Sequence, residues 1–109
     1  MSEDKITFYT VCQITDIPDG ERLFLDISGI PVVIFNINGQ FYAIKDECTH
    51  DNGPLGEGDL DGFSLSCPRH GACFDVRNGK VTCPPAVEDT RIFPVKVEGQ
   101  EIQLGLMGS

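Results

Sequence analysis

The stretch Ile30-Pro31-Val32-Val33-Ile34-Phe35-Asn36-Ile37-Asn38-Gly39-Gln40-Phe41-Tyr42-Ala43-Ile44-Lys45 decides the fold class. Asn38-Gly39 is the strongest short-range hairpin signal in the chain, because a type I′ turn needs positive φ at both central residues. It predicts a strand over Ile30–Ile37 returning as Gln40–Lys45, with Phe41 and Ala43 on one face and Tyr42 and Ile44 on the other. Upstream, Leu23, Leu25 and Ile27 alternate within residues 21–27 until Ser28-Gly29 ends the run. Alternation broken by turns, with no helical period, reads as an all-β chain.

Downstream, glycines, prolines and both histidines crowd into the stretch from Asp46 to Thr82, where function is expected to reside. Short strands are predicted over residues 63–66, 73–76 and 80–82, with Arg77-Asn78-Gly79 as a turn. Cys83-Pro84-Pro85-Ala86 reads as a rigid loop, since proline fixes φ and removes a donor. Residues 91–98 and 101–104 form a closing hairpin about Gly99-Gln100, with Pro94 placing the first of these strands at an edge. The expected architecture is an antiparallel β base built from the two ends, carrying a smaller loop-rich subdomain over residues 46–86 within a single domain spanning 1–109.

Composition narrows the function. The chain has 109 residues, 17 acidic against 8 basic, a net charge of -9 and 40% hydrophobic residues. Without a basic cluster it is not expected to bind nucleic acid, and no run of about 18 apolar residues points to a membrane. Met1-Ser2-Glu3-Asp4-Lys5 lacks a secretory pattern, which predicts a cytoplasmic protein. An odd count of five cysteines in a reducing compartment favours metal ligation and free thiols over a disulfide framework.

The chemistry is carried by Cys48-Thr49-His50 and Cys67-Pro68-Arg69-His70, a C-x-H and a C-x-x-H separated by sixteen residues. Two thiolates and two imidazoles suit zinc or an iron-sulfur centre. Zinc sites of this composition usually pair like with like, whereas here each loop offers one Cys and one His. That mixture suits a two-iron cluster in which one iron takes both thiolates and the other both imidazoles. Gly53-Pro54, Gly56, Gly58, Pro68 and Gly71 would let backbone bend closely around inorganic sulfide. Two weaker patterns fail. Glu57, Asp59, Asp61 and Gly62 imitate the start of an EF-hand loop but meet Pro68 where a glutamate is needed. Gly56-Glu57-Gly58 lacks its third glycine in register and sits among acids that would repel phosphate.

Through these two loops, Gly71-Ala72, Phe74-Asp75 and the Pro84-Pro85 segment, the chain resembles the Rieske ferredoxins over nearly its whole length. The resemblance implies a [2Fe-2S] cluster held by Cys48, His50, Cys67 and His70, with the outer imidazole edges of His50 and His70 as the electron exit. It also implies a non-enzymatic one-electron carrier between a flavin-dependent reductase and a terminal oxygenase, similar to the ferredoxin components of bacterial aromatic-ring dioxygenases. Such a carrier would be monomeric and would dock transiently. A redox subunit or regulatory module of another system, such as nitrite reductase, is the alternative; a zinc-stabilised interaction module is the third.

The departures from the family's high-potential branch are informative. The extra cysteines of that branch, which form a bridge beside the cluster, correspond here to Gly53 and Arg69, and its serine and tyrosine hydroxyls to Ala72 and Phe74. Fewer donors to sulfur lower the reduction potential. Asp46, Glu47, Asp51, Glu57, Asp59 and Asp61 act in the same direction, with no basic residue among them in sequence, and offer a face to a basic partner. A potential of roughly -150 mV is expected. Cys12, Cys73 and Cys83 are read as packed free thiols, a Cys73–Cys83 bridge being disfavoured by the compartment.

Overall fold

The computed structural model describes residues 6–47, 55–68, 71–84 and 89–107. Its strands are β1 (Ile6–Gln13), β2 (Arg22–Ile27), β3 (Ile30–Ile37), β4 (Gln40–Lys45), β5 (Leu60–Asp61), β6 (Ser64–Ser66), β7 (Cys73–Asp75), β8 (Val81–Cys83), β9 (Ile92–Phe93), β10 (Val95–Glu98) and β11 (Glu101–Met107), with a single 3-10 turn at Ile14–Asp16. They form three antiparallel sheets, in the orders β1-β11-β10, β2-β3-β4-β9 and β5-β6-β7-β8.

The hairpin forms as expected: Asn38 and Gly39 have φ of 56° and 86°, and Ile37 pairs with Gln40. Asn36, buried beside the turn, accepts the Gly39 N–H on Oδ1 at 2.9 Å and donates from Nδ2 to the Ile17 carbonyl at 2.7 Å. β3 explains the layering. Its residues alternate between two cores: Val33 and Phe35 pack with Leu55, Leu65, Phe74 and Val76, whereas Val32 and Ile34 pack with Ile102, Leu104 and Phe93. The β2-β3-β4-β9 sheet is therefore the middle layer, and the near-continuous apolar run of β3 reflects burial on both faces. β4 divides as predicted, Ala43 and Phe41 to one core, Ile44 and Tyr42 to the other.

Three expectations are corrected. The strand expected over residues 91–98 is two strands: Pro94 separates β9, an edge of the middle sheet, from β10, an edge of the β1-β11-β10 sheet. Proline lacks the N–H that a continuous ladder would need, and its carbonyl instead accepts from Gly105 at 2.9 Å. β1 and β5, both edge strands without an apolar alternation of their own, carried no sequence signal. The third correction concerns cysteine. Cys83 ends β8 instead of opening the proline loop, and Cys73 and Cys83 are joined by a disulfide. Phe74 pairs with Val81 but Cys73 pairs with Cys83, so a bulge at this point brings the two Cα atoms to 4.8 Å. Cys12 is free as expected, and burial, with Asp16 nearby, raises its thiol pKa.

Candidate metal centre

Cys67 follows β6 directly, at the point where that strand leaves its sheet to return as β7. Its side chain is buried among Leu65, Ala72 and Phe74. The backbone closes around it: the Cys67 N–H donates to the Ala72 carbonyl at 2.6 Å, and the Gly71 N–H donates back to the Cys67 carbonyl at 3.0 Å. Gly71 has a φ of 78°, a left-handed conformation that lets the loop turn inside six residues. Ala72 and Phe74 are fully buried and bring no hydroxyl. Cys73 between them lies on the opposite face, as alternation requires, with the Ser66 hydroxyl 3.7 Å from its sulfur.

The other candidate loop starts at the end of β4. Cys48, His50 and His70, and with them Gly53, Arg69 and the Pro85-Ala86 part of the proline loop, lie outside the described residues. The flanks of the first loop are nevertheless tightly placed. Lys45 donates its N–H to the Arg91 carbonyl at 2.8 Å, and Asp46 donates to Pro31 at 2.9 Å. Buried Thr90 places its hydroxyl 3.4 Å from the Glu47 carbonyl, next in sequence to Cys48. At the far flank the Leu55 and Gly56 N–H groups both donate to Asp46 Oδ1, at 2.9 and 2.5 Å. One carboxylate thus closes the base of a loop that contains Cys48 and His50.

The two loops meet through backbone. Leu55 to Gly58 form a turn, with the Gly58 N–H on the Leu55 carbonyl at 3.1 Å, and Ser66 donates to Asp59 at 2.9 Å. An alanine Cβ at Gly58 would stand 1.6 Å from the Ser66 carbonyl oxygen, so only glycine allows this approach next to Cys67. The flank of the Cys48/His50 loop is therefore seated against the strand that delivers Cys67. In the sequence each of the two segments carries one thiol and one imidazole, a donor set of two soft and two borderline ligands that suits a small cluster.

Electrostatics differ from the count made along the sequence. Asp46 is engaged by backbone donors, and Glu47 pairs with Lys45 at 2.8 Å, a half-exposed contact worth little. Glu57, Asp59 and Asp61 remain exposed. Sequence reading missed Arg22, which reaches across from β2 to donate from Nη1 to the carbonyls of Gly56 and Gly58, the latter at 2.8 Å, and lies 5.0 Å from the Phe35 ring centre. A basic side chain remote in sequence therefore enters the acidic segment. Behind β7, Arg77 binds Asp75 through Nε at 3.0 Å and Nη2 at 2.8 Å and stacks 4.2 Å from the Phe63 ring. These bonds hold the Asp75 carboxyl below its ordinary value.

Comparison with known proteins accords with this geometry. The Rieske [2Fe-2S] domain family matches residues 7–94. A 3-phenylpropionate/cinnamic acid dioxygenase ferredoxin subunit of Shigella boydii serotype 4 (strain Sb227) is 42% identical over 96 residues, 87% of this chain and 90% of its own length. Among solved structures, the ferredoxin of carbazole 1,9a-dioxygenase from Nocardioides aromaticivorans IC177 superposes with a TM-score of 0.84 at 30% identity, covering 90% of this chain and 96% of that one. A chain from the complex of reduced oxygenase and oxidized ferredoxin in carbazole 1,9a-dioxygenase gives 0.83 at 33% identity, covering 89% and 91%.

Proposed function

The chain belongs to the Rieske [2Fe-2S] family as an electron-carrying ferredoxin, and from that premise we propose that one cluster is held by Cys48, His50, Cys67 and His70 and relays single electrons from a flavin-dependent reductase to a terminal oxygenase of the aromatic-ring dioxygenase type. The observation that carries the ligand assignment is the seating of the Leu55–Gly58 turn on β6: it supports bringing the flank of the C-x-H loop beside buried Cys67.

When bound, the cluster supplies a one-electron store; in its oxidised form the charges of two ferric ions are balanced by two sulfides and two thiolates. The chain's own residues would then do four things. Cys67, Ala72 and Phe74 are buried together and would keep water from the Cys67 thiolate. The Cys67–Gly71 and Asp46–Gly56 contacts fix the backbone at both loops, which keeps reorganisation small on electron transfer. As ligands, His50 and His70 would each bind iron through one ring nitrogen and would leave the other for a partner. Exposed Glu57, Asp59 and Asp61 lie on the segment joining the loops and favour a basic docking surface.

In this reading residues 46–86 act as the cluster-binding subdomain of a single domain over 1–109, the carrier works as a monomer, and it resides in the cytoplasm. Among the described residues no helix is long and apolar enough to cross a membrane. The test is reconstitution with purified reductase and oxygenase, in which the chain should support substrate-dependent oxygen consumption. Cluster-loaded protein that is reduced by the flavoprotein but passes no electrons to any aromatic-ring oxygenase would remove the assignment.

A further inference from the structure

Gly56 is gripped from both sides. Its N–H donates to Asp46 Oδ1 at 2.5 Å, and its carbonyl accepts from Arg22 Nη1. The same carboxylate oxygen takes the Leu55 N–H at 2.9 Å, and the same guanidinium nitrogen reaches the Gly58 carbonyl at 2.8 Å. An anion on one side and a cation on the other thus hold a single turn in which Leu55, Gly56 and Gly58 are buried and Glu57 is exposed. Each clamp is itself anchored. The Asp46 N–H is bound to the Pro31 carbonyl at the start of β3, and the Arg22 guanidinium lies over the fully buried Phe35 ring. Side chains crowd the turn as well, since a Cβ at Gly56 would stand 2.8 Å from the Phe24 ring and 3.0 Å from Asp46 Oδ1.

We propose that Asp46 and Arg22 are positioning residues of the cluster site, clamping the Leu55–Gly58 turn so that the spacing between the Cys48/His50 loop and Cys67 is fixed before iron is bound. This deepens the ligand reading and rests on it. Charge-assisted hydrogen bonds are the strong ones, and here they are spent on backbone instead of on another side chain. Asp46 and Arg22 do not touch each other's charges directly; they hold the two peptide groups on either side of the Gly56 Cα, Asp46 through the N–H of one and Arg22 through the carbonyl of the next.

The test compares wild-type holo-protein with Asp46→Ala, Asp46→Asn, Arg22→Met and the control Asp26→Ala. Asp26 makes the same kind of bond, accepting the Gly29 N–H at 2.9 Å, in the turn between β2 and β3 and outside the clamp. Cluster loss to an iron chelator is followed by visible absorbance, amide exchange is read at Leu55 and Gly56, and the reduction potential is measured. Asp46→Ala is expected to accelerate cluster loss about tenfold or more, since it removes both charge-assisted hydrogen bonds and the loss of one alone is worth about tenfold. Asp46→Asn, which keeps an acceptor oxygen and its fold, should give about threefold, and Asp26→Ala no change. Asp46→Asn removes a negative charge and should raise the potential, whereas Arg22→Met removes a positive charge and should lower it. Opposite signs are not expected of a purely structural lesion. If Asp46→Ala takes up no iron, Asp46→Asn decides through its loss rate and amide exchange. Wild-type loss and exchange in Asp46→Asn and Arg22→Met would overturn the proposal. A wild-type protein that binds no iron yet shows Leu55 and Gly56 protection, lost in Asp46→Ala, would instead uphold the clamp and refute the ligand reading.

Discussion

Replacing Gly58 with alanine strikes the contact on which the site depends. The new Cβ would stand 1.6 Å from the Ser66 carbonyl oxygen, a shortfall of about 1.8 Å against the 3.4 Å at which ordinary contact begins. Because the obstacle is backbone of a paired strand, no side-chain rotation relieves it. The turn must leave β6, and with it go the Gly58–Leu55 bond of 3.1 Å, the Ser66–Asp59 bond of 2.9 Å and the Arg22–Gly58 bond of 2.8 Å. At about 1 kcal/mol each, the loss is about 3 kcal/mol, a fall in Tm on the order of 10–20 °C for a domain of this size. The comparison is Gly99→Ala, at a turn with φ of +62° and open space around it, where left-handed strain alone costs about 1 kcal/mol. Thermal unfolding by circular dichroism, with iron measured per chain, separates the two. Gly58→Ala should lose both stability and iron, Gly99→Ala only a little stability. Equal, mild effects at the two positions would refute the seating of the Leu55–Gly58 turn on β6.

The cysteine bridge predicts that demetallated, denatured protein titrates three thiols, rising to five after reduction, since the bridge takes two of the five cysteines. With ten residues of sequence separation, Cys83→Ser should cost roughly 2.5 kcal/mol under oxidising conditions and nothing once a dithiol reductant is present. Asp75, held below its ordinary pKa by Arg77, contributes stability above about pH 4 that fades as pH falls through its lowered value. Arg77 is half-exposed, so solvent screening keeps the effect small. The stability difference between wild type and Asp75→Asn, from urea melts, should therefore shrink at acid pH, and a constant difference would contradict this. Protein-film voltammetry should place the potential at roughly -150 mV, with His50→Cys and His70→Cys lower because thiolate adds negative charge; a wild-type value above zero would contradict the donor argument.

Much of this was legible in the residues. Asn38-Gly39 located the central hairpin, and the apolar run of β3 located the layer buried on both faces. The two Cys/His loops stood out because no other part of the chain places histidine near cysteine. What escaped was set by pairing between distant segments. The bulge that brings Cys83 opposite Cys73 depends on the register of β7 and β8, which short strands with few side chains do not specify. Asp46 looked like one acid among several, and its two backbone partners lie nine and ten residues away. Arg22 is separated from Gly56 by thirty-four residues, so no local pattern announces it. Gly58 suggests, in the sequence, conformational freedom near a cluster; in the structure it admits another backbone.

Pulsed electron paramagnetic resonance on the dithionite-reduced protein tests the central claim most directly. The account predicts a paramagnetic [2Fe-2S] signal carrying two strongly coupled nitrogens, with one coupling lost in each of His50→Cys and His70→Cys. A reduced cluster without nitrogen couplings, or a colourless zinc protein with no signal, would contradict it.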